Sequence, residues 1–439
     1  MKKLFTILSF LLLMILTVSA QTEKIKFIEY DLPNGLHVIL HQDHNTPNVV
    51  VSLMYHVGAK NEDPERTGFA HLFEHLMFEG SQNIARGDYF KIVQAAGGEL
   101  NANTTQDRTY YFEMMPANQL ELALWMEAER MLHANIDSIG VATQKGVVIE
   151  ERNQSYDSRP YGTFMEELGK RAFTTHPYRW QTIGDPEHIR NSTFDDVFNF
   201  YKTYYVPNNT VLVVVGDIDE AQTKVWIEKY FGDIPRGDRP MNRPTVVEPP
   251  LAEEVRDVVY DKVQLPGVFM GYRAPAMNKE AYAVEILCKI LYGGNSSRFK
   301  TNIDDKGLAM QTLVFPYILE HPGLTYVVGI PNVGVTVESL EEAMTAEFER
   351  VQNELVSEDE FKMAMASKEF EVAGGLTRIS NIAQSLANNY TYFRDAERIN
   401  QELSFYQDIT REDLQEVAQK YFHRNNRVVL YYLPESEKD

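Results

Sequence analysis

The chain of 439 residues has a single cysteine, no surplus of basic charge and only one long apolar run. Because Cys288 stands alone, the chain can form neither an internal disulfide nor a cysteine-rich zinc module. Lysine and arginine number 42 against 63 acidic residues, which gives a net charge of −21. Nucleic-acid binding is driven mainly by Lys and Arg, so no nucleic-acid partner is expected. An apolar share of 44% is ordinary for globular proteins and argues against a disordered or fibrous chain.

The one long apolar run, Leu4–Val18, lies near the N-terminus directly behind Lys2 and Lys3. It is shorter than the roughly 20 apolar residues of a comfortable membrane span, and small residues follow it up to Ala20. This arrangement predicts a signal peptide over residues 1–20, removed in the mature protein. We therefore expect an exported protein, periplasmic or secreted, with no stable membrane span.

After the signal peptide, strand-like alternation and helical periodicity follow one another along the chain, which predicts an α+β protein. Residues 234–252 differ, because they contain five prolines and few apolar side chains. Proline fixes φ and cannot donate to a sheet, so this segment predicts an extended linker. We expect an N-terminal domain over 21–233 and a C-terminal domain over 253–439.

Two stretches on either side of the linker look like copies. Thr193-Phe-Asp-Asp begins a helical pattern that leads to Asn208-Asn209 and an apolar strand. Thr410-Arg-Glu-Asp, 217 residues later, leads in the same way to Asn425-Asn426 and a second apolar strand. Each copy opens with a threonine three residues before an acid, which is a helix-start signal. The shared pattern predicts two homologous αβ domains, each a sheet packed with helices.

The segment Gly68–Gly80 contains the pattern H-x-x-E-H, formed by His71, Glu74 and His75. On a helix the two histidines project from one face, one turn apart, which is the spacing needed to hold one metal ion. Glu74 lies at the edge of the same face, where it can take a proton from water bound to the metal. The alternative is that these side chains merely decorate an amphipathic helix. Apolar neighbours place the helix in a core, where such groups need partners, so the metal site is favoured.

A hydrolytic zinc site needs a third protein ligand and an open position for water. The candidates are Glu150 and Glu151, which follow two apolar turns of a helical pattern. Adjacent helical residues point about 100° apart, so only one of the two can face the metal. The residue pattern alone leaves the pair nearly even, and solvation of both is the remaining alternative.

Several motifs carry a resemblance to a known family. They are Leu32–Leu36, the His71–His75 motif, Asn101–Thr104, His176–Tyr178 and Gly307–Ala309. With them, nearly all of the mature sequence resembles the pitrilysin-type (inverzincin) zinc metallopeptidases, in particular the zinc-bearing subunit of processing-peptidase-like bacterial two-subunit enzymes. The resemblance implies one Zn²⁺ per chain and a pair of similar αβ domains that form half of a clam-shell. It also selects Glu151 as the third ligand.

The resemblance further implies how a peptide is held. An edge strand beside the metal pairs with an extended peptide through main-chain hydrogen bonds, and Asn101, Ala102 and Asn103 match that strand. Gln144 stands where the family usually has a glutamate, two helical turns before the third ligand. An amide adds no negative charge around the metal, which favours weaker zinc retention without implying loss of the site.

Another departure from the family concerns an arginine and a tyrosine, seven residues apart, that help active relatives to hold the substrate and stabilise the oxyanion. Ile303 and Met310 occupy those positions and can do neither. The resemblance therefore implies half an active site, with zinc but without the two substrate-holding groups. We expect a homologous partner subunit to supply the missing arginine and tyrosine.

The second repeat has also lost the metal motif. When Gly80 is aligned with Gly294, the ligand positions hold Glu285 and Lys289, and Cys288 replaces the glutamate base. No second metal site is expected in the C-terminal domain.

The sequence thus predicts a zinc-dependent endopeptidase that hydrolyses extended peptides or unfolded segments. One alternative is a non-catalytic scaffold or assembly subunit of the same fold. Another is a soluble peptide-binding module, in which Glu74→Gln would leave function unchanged. His176 beside Pro177 is interpreted as a turn residue, and Glu341 and Glu342 as a solvated helix face.

Overall fold

The computed structural model describes residues 24–438, so the predicted signal peptide over 1–20 lies outside the described residues. Between residues 24 and 438, no helix has both the length and the apolar composition needed to cross a bilayer. The β-strands of this range are β1 (Ile28–Asp31), β2 (His37–Gln42), β3 (Asn48–Tyr55), β4 (Glu99–Thr104), β5 (Thr109–Pro116), β6 (Thr210–Gly216), β7 (Val255–Asp261), β8 (Gly267–Arg273), β9 (Ala309–Tyr317), β10 (Leu324–Pro331) and β11 (Arg427–Pro434). The α-helices are α1 (Phe69–Leu76), α2 (Tyr89–Ala95), α3 (Leu120–His133), α4 (Ser138–Arg152), α5 (Phe164–Ala172), α6 (Pro186–Asn191), α7 (Phe194–Tyr204), α8 (Glu220–Phe231), α9 (Lys279–Tyr292), α10 (Val337–Asn353), α11 (Glu358–Gly375), α12 (Ile379–Phe393), α13 (Glu402–Gln407) and α14 (Arg411–Tyr421).

The first half of the chain is built on a six-stranded sheet with the order β1-β2-β6-β3-β5-β4. β2 and β6 run parallel, and the other neighbours are antiparallel. The central strands β2, β3 and β6 are almost continuously buried, because helices cover both faces of the sheet. β4 lies at the edge of this sheet and contacts α1. The fold therefore sets the edge of a sheet beside the helix that carries the H-x-x-E-H motif.

The second half repeats this design on a five-stranded sheet with the order β7-β11-β8-β10-β9. The helices α7 and α14 follow Thr193 and Thr410, and each threonine forms a reciprocal capping box with the acid three residues later. The strands β6 and β11 then begin 217 residues apart, at Thr210 and Arg427. The predicted α+β class, with two similar sheet-and-helix halves, is confirmed.

Each half also supplies a helix to the sheet of the other half. α12, which follows the linker, packs Leu386 against the face of the first sheet that carries Val213. α5, which precedes the linker, packs Leu168 against Phe269 of the second sheet. The two hydrophobic clusters on these sheet faces therefore draw on residues from either side of 234–252, and the predicted domain boundaries stay a prediction.

The linker is extended and is fixed to the body of the protein by polar contacts. Glu248 accepts hydrogen bonds from the backbone amides of Thr174, Thr175 and His176 at 2.8, 2.9 and 2.6 Å. Arg273 of the second sheet donates to the carbonyl of Pro249 at 2.8 Å. These contacts join the linker to both halves.

The prediction that Glu341 lies on a solvated helix face is wrong. Its side chain is only 2% exposed and accepts hydrogen bonds from Arg427 at 2.8 Å and Tyr431 at 2.5 Å. Glu342, the next residue, is exposed and pairs with Arg424. The helix α10 turns Glu341 towards β11, a neighbour that the local sequence does not reveal.

Candidate metal centre

All three residues of the H-x-x-E-H motif lie on α1, a helix of only eight residues. It begins after Gly68, whose φ of +93° belongs to the left-handed region and where a Cβ would lie 2.9 Å from the carbonyl oxygen of Ile183. Glu62 is buried and accepts hydrogen bonds from the amides of Gly68 and Ala70 at 2.9 and 2.8 Å. Because the first N–H groups of a helix lack intrahelical partners, this carboxylate fixes the start of the motif helix.

The C-terminal end of α1 is fixed by two more buried side chains. Tyr111 on β5 donates to the carbonyl of Phe73 at 3.0 Å, and Arg130 on α3 donates to the carbonyl of Met77 at 2.8 Å. Arg130 is 1% exposed, and Glu127 balances its charge at 3.0 Å. A helix this short is marginal on its own, so its orientation depends on these tertiary contacts.

The helices α1 and α4 bring three potential metal ligands together. Single donor atoms of His71, His75 and Glu151 all lie within 4.8 Å of one another. The Nε2 atom of His75 lies 3.2 Å from Glu151 Oε2, and that of His71 lies 3.7 Å from Oε1. Two imidazoles and one carboxylate are a known donor set of catalytic zinc, so the residues present fit this ion.

The protonation states of the cluster also fit a metal ion. Burial, helped by the neighbouring His75, lowers the pKa of His71 and so favours its neutral form. The hydrogen bond from His75 lowers the pKa of Glu151 against the opposing effect of burial. Metal ligands must be deprotonated to bind, and both shifts act in that direction.

Of the two adjacent carboxylates on α4, the structure places Glu151 beside the histidines. Glu150 is exposed and accepts a hydrogen bond from Gln154 at 2.7 Å. The helix then widens into a π-type turn over Asn153–Asp157. The rotation of α4 against α1 thus turns Glu151 and not Glu150 towards the histidines, and the role of Glu151 as third ligand stays a prediction.

Glu74 is held from the edge strand. Thr104, the last residue of β4, donates its hydroxyl to Glu74 Oε2 at 2.6 Å. Burial raises the pKa of Glu74, and the hydrogen bond from Thr104 partly offsets that shift. The other carboxylate oxygen, Oε1, remains available to a proton, which suits a general base.

The backbone of β4 offers an alternating set of groups at the sheet edge. Thr105 donates its amide to the carbonyl of Arg108 at 2.9 Å, across the turn that joins β4 to β5. From that pair onward, residue pairs of β4 and β5 that exchange backbone hydrogen bonds alternate with pairs that do not. This alternation turns the N–H and C=O groups of Leu100, Ala102 and Thr104 outward. The amide of Ala102 accordingly bonds to the side chain of the preceding residue rather than to β5. Of the three predicted substrate residues Asn101, Ala102 and Asn103, only the middle one has outward-facing backbone groups.

Gln144, predicted to lie around the metal, contacts a carboxylate just beyond α1. Its amide donates to Glu79, whose carboxylate also pairs with Arg86. Its own side-chain oxygen is buried and has no hydrogen-bond partner among residues 24–438. Gln144 thus links α4 to the segment that follows α1, and its effect on zinc retention stays a prediction.

The second half holds paired charges where the first half holds the metal-ligand cluster. Glu285 accepts a hydrogen bond from Lys368 at 3.0 Å, and Lys289 lies 2.6 Å from Glu371. Cys288 is buried, and burial raises the pKa of its thiol. These lysines neutralise the carboxylates, and no second cluster of potential metal ligands occurs in the described part of the chain.

The two positions expected to lack substrate-holding groups differ in their burial. Ile303 is 1% exposed and belongs to the hydrophobic core of the second half. Met310 on β9 is 60% exposed. Neither side chain can donate a hydrogen bond to a substrate.

Sequence reasoning missed the side chains that position the motif. These are Glu62, Thr104, Tyr111 and Arg130, whose contacts span up to 53 residues. Thr104 was part of a recognised motif, but nothing local indicates which carboxylate its hydroxyl binds. A buried acid or arginine is recognisable as unusual only once its burial is known.

Two profiles of one peptidase family match consecutive parts of the chain. Residues 37–185 match the profile Insulinase (Peptidase family M16), and residues 191–368 match the profile Peptidase M16 inactive domain. The fold and the motif together define a two-domain protein of the inverted zinc-motif class. The chain belongs to peptidase family M16, the insulinase family.

Individual relatives agree over almost the whole length. The chain is 28% identical over 423 residues to the zinc protease PqqE of Helicobacter pylori, covering 95% of each protein. The crystal structure of a protease from Helicobacter pylori matches with a TM-score of 0.89 and 28% identity, over 93% of this chain and 100% of that chain. The periplasmic protease PqqL from Escherichia coli shares the fold at 19% identity and a TM-score of 0.76, where 94% of this chain covers 48% of that one.

Proposed function

We propose that this protein is a zinc-dependent endopeptidase that hydrolyses extended peptides or unfolded segments. The observation that carries the proposal is the convergence of His71, His75 and Glu151 within 4.8 Å, next to Glu74 and to an edge strand. The names of the relatives as zinc proteases support the same assignment.

Each residue of the cluster has a role in this proposal. His71, His75 and Glu151 would hold one Zn²⁺ per chain. When bound, zinc lowers the pKa of water so that a nucleophile forms near neutral pH. Glu74 accepts the proton at Oε1 and delivers it to the amine that leaves. Its partly buried carboxylate has a raised pKa, which suits both steps.

The substrate is bound through its backbone. An extended peptide adds a strand to β4, and the outward N–H and C=O groups of Leu100, Ala102 and Thr104 bond to it. Main-chain pairing accepts many sequences, so unfolded segments are the expected class of substrate. The amide of Ala102 donates a hydrogen bond to the side-chain oxygen of Asn101 at 2.9 Å, and this bond must break before the amide can bind a peptide.

A homologous partner subunit completes the active site in this proposal. The chain corresponds to 48% of the length of PqqL, a protein of the same fold, and Ile303 and Met310 offer no polar group. Oxyanion donors contribute roughly 10²–10³ in rate, so the chain alone is expected to be slow. Full peptidase activity of the purified chain as a monomer would exclude the partner. The predicted signal peptide over 1–20 and the periplasmic relative support an exported, periplasmic location.

A non-catalytic scaffold is the second candidate, because residues 191–368 match the profile named for an inactive domain. The two candidates differ in what Glu74 does. We would measure zinc content and cleavage of an unstructured fluorogenic peptide for the wild type and for Glu74→Gln, each with and without the cognate partner. The endopeptidase is expected to keep its zinc in Glu74→Gln and to lose about 10²–10⁴ in rate. Bound zinc without any cleavage, even with the partner present, would establish the scaffold.

A further inference from the structure

One hydrogen bond joins the candidate general base to the sheet edge. Thr104 Oγ1 lies 2.6 Å from Glu74 Oε2, and both side chains are half-buried. Threonine is branched at Cβ, so its hydroxyl occupies few rotamers, whereas a free glutamate samples many. The contact therefore holds a flexible carboxylate with a stiff donor.

The donor is itself well anchored, because the turn after β4 is tightly bonded. Arg108 donates to the carbonyl of Asn103 at 3.0 Å and also to its side-chain oxygen. Thr105 accepts at its hydroxyl from the amides of Asp107 and Arg108, both at 3.2 Å. The end of β4 is thus fixed from both sides of Thr104.

Thr104 also has outward backbone groups at the sheet edge. Its hydroxyl reaches the base, while its N–H and C=O face the side on which a peptide would pair. Thr104 thereby sets the distance between the backbone of the bound peptide and the Glu74 carboxylate, which must transfer a proton to that peptide. A displacement of about 1 Å in such a geometry costs on the order of 10²-fold in rate.

We propose that Thr104 is a positioning residue that holds Glu74 in register with a peptide bound along β4. This inference rests on the proposed peptidase function and goes beyond it, because it assigns a role to a side chain that touches neither metal ligand nor substrate. If the hydroxyl had a purely structural role and only satisfied a buried carboxylate, the expected values of kcat, KM and zinc content in the variants would be different.

The test uses Thr104→Val, which removes the hydroxyl and keeps the shape, and Thr104→Ser, which restores a hydroxyl. Thr203→Val on the exposed face of α7 is the matched control. We would measure zinc content, KM and kcat on a fluorogenic peptide of about ten residues. Thr104→Val is expected to lower kcat by at least about tenfold, with KM within twofold of the wild type and zinc content unchanged. A tenfold loss is part of the rate enhancement that a positioned general base contributes. Thr104→Ser should recover kcat to within about threefold, and Thr203→Val should match the wild type.

A crystal structure of zinc-loaded Thr104→Val adds a readout that does not depend on turnover. There, the Glu74 carboxylate is expected to leave its position beside β4. An unchanged kcat in Thr104→Val, equal losses in the valine and serine variants, or loss of zinc in Thr104→Val would each overturn the inference. If the wild type and Glu74→Gln cleave equally, the endopeptidase proposal fails. That comparison does not involve the Thr104 variants, so it can be distinguished from a failure of the Thr104 inference.

Discussion

The two halves of the molecule have similar folds but different polar clusters: metal-ligand side chains in the first half and lysine–glutamate pairs in the second. In the first half, His71, His75 and Glu151 present three donor atoms and no cation of their own. In the second half, the residues aligned with the two histidines are Glu285 and Lys289, which pair with Lys368 and Glu371 respectively. Lys368 is largely buried, so its charge needs a partner of opposite sign, and Glu285 supplies that partner within the second half. In the proposed function, a metal ion takes the role of the cation in the first half.

The largest expected effect comes from changing the acid of each cluster in turn. Glu151→Gln should weaken zinc binding by more than about 100-fold, beyond the range typical of changes outside the ligand set, and abolish cleavage. Glu371→Gln should leave zinc content and cleavage unchanged and cost at most about 1 kcal/mol, because its carboxylate is half-exposed. Elemental analysis, peptide assays and urea unfolding measure these effects. Zinc loss in both variants would contradict the difference between the halves.

A second effect separates stability from metal binding. Arg130 and Arg427 are both buried arginines paired with a buried glutamate, Glu127 and Glu341 respectively. Replacing Arg130 by methionine leaves Glu127 without its ion-pair partner and should cost about 3–5 kcal/mol in the free energy of unfolding. Arg427→Met should cost less, because Glu341 keeps its ion pair with Arg256. Only Arg130 bonds to a carbonyl at the end of the motif helix, that of Met77.

Zinc affinity should therefore fall about tenfold in Arg130→Met and stay unchanged in Arg427→Met. Denaturant titration gives the stability change, and competition with a chelator under folding conditions gives the affinity. Equal zinc affinities in the two variants would show that the contact to Met77 does not orient the motif.

A third effect concerns pH. Glu113 is fully buried, and burial together with the charge of Glu127 raises its pKa well above the usual 4.5. The folded state then keeps a proton that the unfolded state releases above pH 4.5, so stability present at acid pH is lost as pH rises towards the raised pKa.

Glu113→Gln removes this titration, so its stability should fall less steeply with pH than that of the wild type. The difference between the two profiles can reach about 1.4 kcal/mol per pH unit. Urea unfolding between pH 4.5 and 8 measures it. Parallel profiles for the two proteins would mean that Glu113 does not hold its proton in the folded state.

The features that could be predicted from sequence are those with a local signal. The i, i+4 spacing of His71 and His75 and the capping patterns at Thr193 and Thr410 depend on residues within one or two helical turns. The structure shows the helices that these patterns predict, beginning at Phe69, Phe194 and Arg411. Glu341 shows the limit of the approach, because its partner Arg427 lies 86 residues away.

The sequence by itself determined the motif, the repeat and the α+β class, because hydrophobic periodicity, helix caps and ligand spacing are encoded in neighbouring residues. Only the tertiary structure decided that Glu151 and not Glu150 faces the histidines, and that Thr104 reaches Glu74. It also decided that α5 and α12 each cover the sheet of the other half. These outcomes depend on how helices and strands far apart in sequence rotate and pack against one another, and residue order alone does not record that rotation.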